Sequence, residues 1–237
     1  MTKLSVNINK IALIRNARGA NHPDLLQVAL DCEEFGAEGI TVHPRPDERH
    51  IRYDDLSVLK SSIATEFNIE GYPSNDFIDR VIAVRPAQCT LVPDLPGALT
   101  SDTGWDAIKH GDFLTVVVAR LKAAGIRTSL FIDPLESQLH AAKDTGTDRI
   151  EFYTGPYAAQ YNSDRARAIA PYATAALICN EIDLGINAGH DLNLDNLAYF
   201  RSKVPQLLEV SIGHALICDA VYLGLKNTIQ LYLHRLV

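Results

Sequence analysis

Eight short β-rich runs, separated by stretches of helical periodicity, constrain this chain more than any other feature. The runs are Leu4–Ile8, Gly39–Val42, Phe67–Glu70, Cys89–Val92, Arg127–Ile132, Arg149–Tyr153, Leu184–Asn187 and Leu208–Ile212. Strands that alternate with amphipathic helices belong to a parallel sheet, because each return to the same edge needs a crossover. Eight such units close most economically into a barrel, although strand counting by itself leaves an open sheet available. The expected class is α/β: a single (β/α)8 TIM barrel spanning residues 1–237, with additional helical segments. A chain of 237 residues suits that closure, and no Ser/Gly-rich linker or charge run divides it.

The helices carry their own punctuation. Pro23 suits a first helical position, and Leu25, Val28, Ala29, Cys32 and Phe35 then fall on one face before Gly36 stops the helix. Ala124-Gly125-Ile126 and Thr145-Gly146-Thr147 repeat the device, each joining a helix end to a strand through a glycine able to take the left-handed cap. Two segments exceed the minimal unit. Asp94–Asp112 reads as a long, turn-rich connection, and Ser163–Glu181 as a helical stretch interrupted by Pro171. Such extensions serve as binding loops or as packing and oligomer contacts, and composition does not choose between them.

A net charge of −7 disfavours a protein built around nucleic-acid phosphates, while leaving room for a local basic pocket. The opening MTKLSVNINK has no long apolar core and no later run is of membrane-spanning length, so the expectation is a cytoplasmic protein without a membrane partner. Four cysteines, Cys32, Cys89, Cys179 and Cys218, form no CxxC pair and sit among apolar neighbours, which reads as reduced core thiols.

In a barrel, chemistry gathers at the carboxyl ends of the strands, where the loops surround one mouth. Strand one runs into Asn7 and Asn9, then Lys10, Arg15 and Arg18. Strand two ends at His43, followed by Arg45, Arg49 and His50. Strand three ends at Glu70, and strand six carries Glu151. Strand seven ends at Asn187, followed by Gly189-His190, and strand eight ends at Gly213-His214. Any one of these has an ordinary structural explanation; several strands delivering ionisable groups to one face point to an active site. Gly213-His214 also opens a helix, whose unpaired N–H groups favour an anion, and the loops after strands seven and eight are the recurrent phosphate site of this architecture. No HxH or HExxH spacing marks a metal site, and the neighbouring arginines suit a phosphate ester better than a cation. No lysine stands at the ends of strands five to seven, where a Schiff-base nucleophile would be needed.

The same residues carry a resemblance to the pyridoxine 5′-phosphate synthase family. It runs through Val6-Asn7-Ile8-Asn9, Arg15–Gly19, Gly39–His43 with Arg45 and Arg49-His50-Ile51, and Asn68-Ile69-Glu70. It continues through Leu91-Val92-Pro93, Ser129–Asp133, Ile150-Glu151 with Thr154-Gly155, Ile186–His190 and Ile212–Ala215, in order over nearly the whole chain. The resemblance implies condensation of 1-deoxy-D-xylulose 5-phosphate with 3-amino-2-oxopropyl phosphate, giving pyridoxine 5′-phosphate, phosphate and water without a metal or organic cofactor. It implies proton-accepting roles for His43 and Glu70 and a proton-donating role for His190. Asn7, Arg18, Arg45, His50, Thr100, Gly213 and His214 match substrate- or product-binding positions, and Glu151 also resembles a site residue. A homo-oligomer, often an octamer, is implied as well.

Two departures stand out. Many family members have Asp-His where this chain has Asn9-Lys10, so no proton-transfer role passes to either residue and Lys10 is expected to contact an anion. The usual glycine after the seventh-strand histidine is Asp191. Spacing alone supports phosphate-linked acid–base chemistry, which leaves a phosphosugar isomerase or aldolase, or a noncatalytic phosphate-metabolite binding protein, as alternatives.

Overall fold

A computed structural model describes residues 1–94, 97 and 101–237 of the chain. Strands β1 (Lys3–Asn7), β2 (Gly39–Val42), β3 (Glu66–Gly71), β4 (Gln88–Leu91), β5 (Arg127–Ile132), β6 (Arg149–Tyr153), β7 (Gly185–His190) and β8 (Leu207–Ile212) form a closed barrel. Every neighbouring pair is parallel, and β8 returns to β1 with Leu4 opposite Val210. The chain is therefore a (β/α)8 barrel, as the strand–helix alternation implies.

The crossovers are made by α1 (Asn9–Asn16), α2 (Leu25–Glu34), α3 (Tyr53–Ser62), α4 (Asn75–Val84), α5 (Ala107–Ala123), α6 (Glu136–Asp144), α7 (Gly155–Glu181) and α8 (Leu197–Lys203). After β8 come α9 (His214–Leu223) and α10 (Leu225–Arg235). Glycine ends α2 as expected. Gly36 has φ +103°, and the Ala37 N–H reaches back to the Cys32 carbonyl at 2.9 Å, closing the last turn over the left-handed residue. Gly125 does the same for α5, with Ile126 donating to Leu121.

Alternate residues of a strand face opposite sides of the sheet. The outward set, including Leu4, Val6, Ile40, Val42, Phe67, Ile69, Leu130, Ile132, Ile150, Phe152, Val210 and Ile212, is buried under the helices and forms the apolar core. The inward set is polar. Lys3 on β1 bonds Glu66 on β3 at 2.6 Å, Glu66 pairs with Arg127 on β5, and Arg149 on β6 meets Glu209 on β8 at 3.7 Å. Each contact skips a strand, which a side chain can do only through the interior. Barrels of this type usually fill that space with branched aliphatic residues; here it holds hydrogen-bonded polar groups.

Several local expectations are corrected. The helix after Pro23 begins two residues later than the proline rule suggests, because Asp24 is the cap and accepts from the Leu26 and Gln27 amides at 3.0 and 3.2 Å. Residues 107–112 of the supposed long connection already belong to α5. The break in α7 is at Asp164, with φ −158° and ψ 87°, not at Pro171, which stays within the helix. The Asp164 carboxylate accepts from the Arg167 N–H at 3.0 Å and so restarts the helix as a cap. Three cysteines are buried, but Cys218 is exposed.

Candidate active site at the carboxyl end of the barrel

The register of β2 and β3, Thr41 opposite Asn68 and Val42 opposite Ile69, leads His43 and Glu70 out of adjacent strands side by side. The backbone N–H of His43 donates to the Asn9 side-chain oxygen at 2.9 Å, so the unusual Asn9 anchors the loop that carries the histidine. His43 is buried, and its pKa is driven well below the ordinary value, first by burial and then by the charges of Arg45, His50 and Arg49. It is a neutral imidazole at physiological pH, able to accept a proton. His50 meets it edge-on at 6.4 Å and is lowered to about 4, by burial and then by Arg49, Arg45 and Lys10. Its Nδ1 accepts the Ile51 N–H at 2.9 Å.

Glu70 moves the opposite way. Burial raises its carboxyl to about 8; the Arg45 charge opposes that rise, and Asp94 and Glu209 add to it. Arg45 is held by a buried ion pair with Asp94 at 2.6 Å, which also accepts from the Ser101 hydroxyl at 2.5 Å. Among the described residues, the Arg45 Nε has no hydrogen-bond partner. Glu151 faces the same interior, is buried, and is raised well above the carboxylate range by burial and by the charges of Glu70 and Glu209. It stands beside Gly189, where a Cβ would collide with its carboxyl oxygen, so only glycine at that position leaves Glu151 room.

A hydrogen bond with Thr90 opposes that rise in Glu151, and the Thr90 hydroxyl donates to the Asn68 side-chain oxygen at 3.1 Å. The chain continues from Asn68 to Thr41 at 3.4 Å and from Thr41 to Ser5 at 2.7 Å.

At the opposite side of the mouth β7 extends to His190, further than the expected end at Asn187, so the histidine closes a strand instead of following one. Its Nδ1 lies 2.7 Å from the Asp191 carboxylate, and its ring meets Tyr153 of β6 edge-on at 5.4 Å. Gly213 caps α9 without any side-chain cap bond, which leaves the first-turn amides of that helix open to an anion. A Cβ on Gly213 would lie 3.1 Å from the Asn7 side chain, so the close approach of these two mouth residues depends on glycine.

The remaining expected site residues are dispersed. Lys10 is half-buried at the start of α1 and acts electrostatically on His50. Arg18 and His214 are exposed at the rim. Thr100 lies outside the described residues. Sequence reasoning missed Asp94 and Thr90, whose polar side chains are unremarkable until the fold brings them to Arg45 and Glu151. It also grouped Arg15 with the basic mouth, whereas Arg15 is fully buried in a structural ion pair with Asp55. Among the described residues no cluster of three His, Cys, Asp or Glu side chains has the geometry to hold a metal.

The sequence model of PdxJ, described as pyridoxal phosphate biosynthesis protein PdxJ, matches residues 4–237. The chain is 60% identical over 236 residues to the pyridoxine 5′-phosphate synthase of Cytophaga hutchinsonii, covering 100% of this chain and 99% of that protein. It is 59% identical to the synthase of the same name from Christiangramia forsetii, with both chains fully covered. Among solved structures it is similar to 3-keto-L-gulonate-6-phosphate decarboxylase from Vibrio cholerae, with a TM-score of 0.67 at 8% identity over 99% of this chain and 97% of that one. Phosphoribosylanthranilate isomerase from Thermotoga maritima gives a TM-score of 0.60 at 13% identity, covering 100% and 98%. At such identities the structural likeness speaks for the barrel alone.

Proposed function

The chain belongs to the PdxJ family of pyridoxal phosphate biosynthesis proteins, and from that premise we propose that it is a single-domain pyridoxine 5′-phosphate synthase. It joins 1-deoxy-D-xylulose 5-phosphate to 3-amino-2-oxopropyl phosphate, releasing pyridoxine 5′-phosphate, inorganic phosphate and water. The observation that carries this reading is the pairing of a neutral, buried His43 with a Glu70 held near pKa 8 on the adjacent strand.

Ring formation by this route joins an amine to a ketone, then moves protons repeatedly while water and phosphate depart. The amine is already on one substrate, so the protein supplies proton transfer and positioning, not a covalent nucleophile. His43 accepts a proton as the neutral imidazole. Glu70, titrating near neutrality, takes a proton in one step and returns it in another. Glu151, protonated, donates a hydrogen bond without repelling the substrate phosphates. His190 delivers a proton from the far side of the mouth. The open amides of α9, with Gly213, His214 and Asn7, receive one phosphate; Arg45, His50, Arg18, Lys10 and Thr100 contribute to substrate binding. The protein is also proposed to act as a homo-oligomer, a reading supported by the exposed Val221 and Tyr222 at the end of α9 and tested by light scattering of the active enzyme.

Incubating the purified chain with both substrates, before and after exhaustive chelation, tests the reading. Pyridoxine 5′-phosphate is expected in both cases. Turnover of a single sugar phosphate would favour an isomerase or aldolase, and binding without turnover a noncatalytic protein. Activity lost on chelation and restored stoichiometrically by one divalent metal would overturn metal independence.

A further inference from the structure

We infer that Asp191 is a positioning residue that holds His190 in one tautomer and prepares it as a proton donor. The inference rests on the synthase reading for the donor role, and on geometry for the pairing. The Asp191 carboxylate lies 2.7 Å from His190 Nδ1. Its own pKa is lowered, chiefly by that hydrogen bond, against burial and with help from the charges of His190 and His214. A carboxylate can only accept, so Nδ1 must carry the hydrogen. Neutral His190 is thereby restricted to the Nδ1–H form, and the proton it gains and gives away resides on Nε2.

The backbone makes the contact a built one. The Asp191 N–H donates to the Thr154 hydroxyl at 3.3 Å, the Thr154 hydroxyl donates to the Gly189 carbonyl at 2.7 Å, and Asn196 Nδ2 donates to the Asp191 carbonyl at 3.2 Å. His190 itself has φ +92°, a conformation that non-glycine residues adopt mainly where surrounding structure enforces it. The strand end, the turn and the side-chain pair are thus fixed together. Other titratable groups around the pair are Tyr153 on β6, whose ring the imidazole meets, and His214 on α9, whose charge acts on Asp191. Asp102 and Asp133 act on Tyr153 in turn.

The test compares Asp191→Asn, Asp191→Gly and Asp191→Glu with the wild type, measuring kcat and KM for both substrates from pH 5 to 9. NMR of the ¹⁵N-labelled imidazoles reads the tautomer, with His190→Gln identifying the His190 signals. Because the pair is half-exposed, Asp191→Asn should lower kcat about fivefold and change its pH profile, with KM little changed. Asp191→Gly should also release the imidazole into a tautomer mixture, and Asp191→Glu should restore most of kcat. Wild-type kcat, pH profile and tautomer in both the Asn and Gly variants would overturn the proposal. So would an equal loss in all three variants expressed in KM, which marks a merely structural role. If the wild type makes no product from the two substrates, the functional reading fails, and the NMR measurement, which needs no turnover, decides the Asp191–His190 pairing by itself.

Discussion

Arg15 and Asp55 meet in two parallel hydrogen bonds, Nη1 to Oδ1 at 2.7 Å and Nη2 to Oδ2 at 2.9 Å, with Arg15 fully buried. The same Nη2 donates to the His50 carbonyl at 3.1 Å, and Asp55 accepts the Arg52 N–H at the start of α3. One ion pair therefore ties α1, the loop bearing His50 and the beginning of α3. Breaking a buried pair from one side leaves an uncompensated charge. Asp55→Ala should cost about 3 kcal/mol of stability by denaturant unfolding and should raise KM more than it lowers kcat. Unchanged stability would show that the pair is dispensable.

Glu70→Gln keeps the shape of the side chain and removes its exchangeable proton. We expect kcat to fall by roughly 10²–10⁴-fold with little change in substrate binding. The pH dependence supplies an independent reading. A group raised to about 8 must lose its proton before it can accept one, so kcat/KM of the wild type should climb as pH passes upward through about 8. That titration should vanish in the Gln variant. A Gln variant with near-normal kcat rules out the proton-transfer role.

Lys10 sits half-buried at the start of α1, and its charge acts on His50. Lys10→Ala should raise the KM for a phosphorylated substrate about tenfold, the value of one charge-assisted hydrogen bond. A large kcat loss at saturation with unchanged KM would instead assign it a part in proton transfer.

Glu66 lies in the barrel interior, far from the mouth residues in the register of β3. Burial would raise its pKa, but hydrogen bonds from Lys3 and Arg127 outweigh burial and hold it at about 2. A folded-state pKa depressed below its unfolded value of about 4.5 stabilises the protein above that pH and ceases to do so as pH falls toward 2. Glu66→Gln should lose about 2 kcal/mol at pH 7, or roughly 5 °C in Tm. The gap between variant and wild type should close across pH 4.5 to 2 in thermal melts. A gap that persists at pH 2 would mean that packing, not charge, is what the substitution removes.

The sequence by itself determined the eightfold alternation of strand and helix, because strand and helix periods and glycine stops are local properties. Closure into a barrel instead of an open sheet came with the pairing of β8 to β1. The sequence also placed His43, Glu70, His190 and Gly213 at or just beyond strand ends, although it grouped Arg15 with them. Tertiary structure alone decided what those residues become. Arg15 and Arg45 are equally basic in one dimension, yet Asp55 draws one into a structural pair and Asp94 holds the other beside Glu70. The polar interior from Ser5 to Glu151 was likewise hidden, because a serine or threonine in a strand does not announce whether its hydroxyl faces a helix or another strand. Burial and the distance between charges set a proton's affinity, and both arise only when separated parts of the chain are brought together.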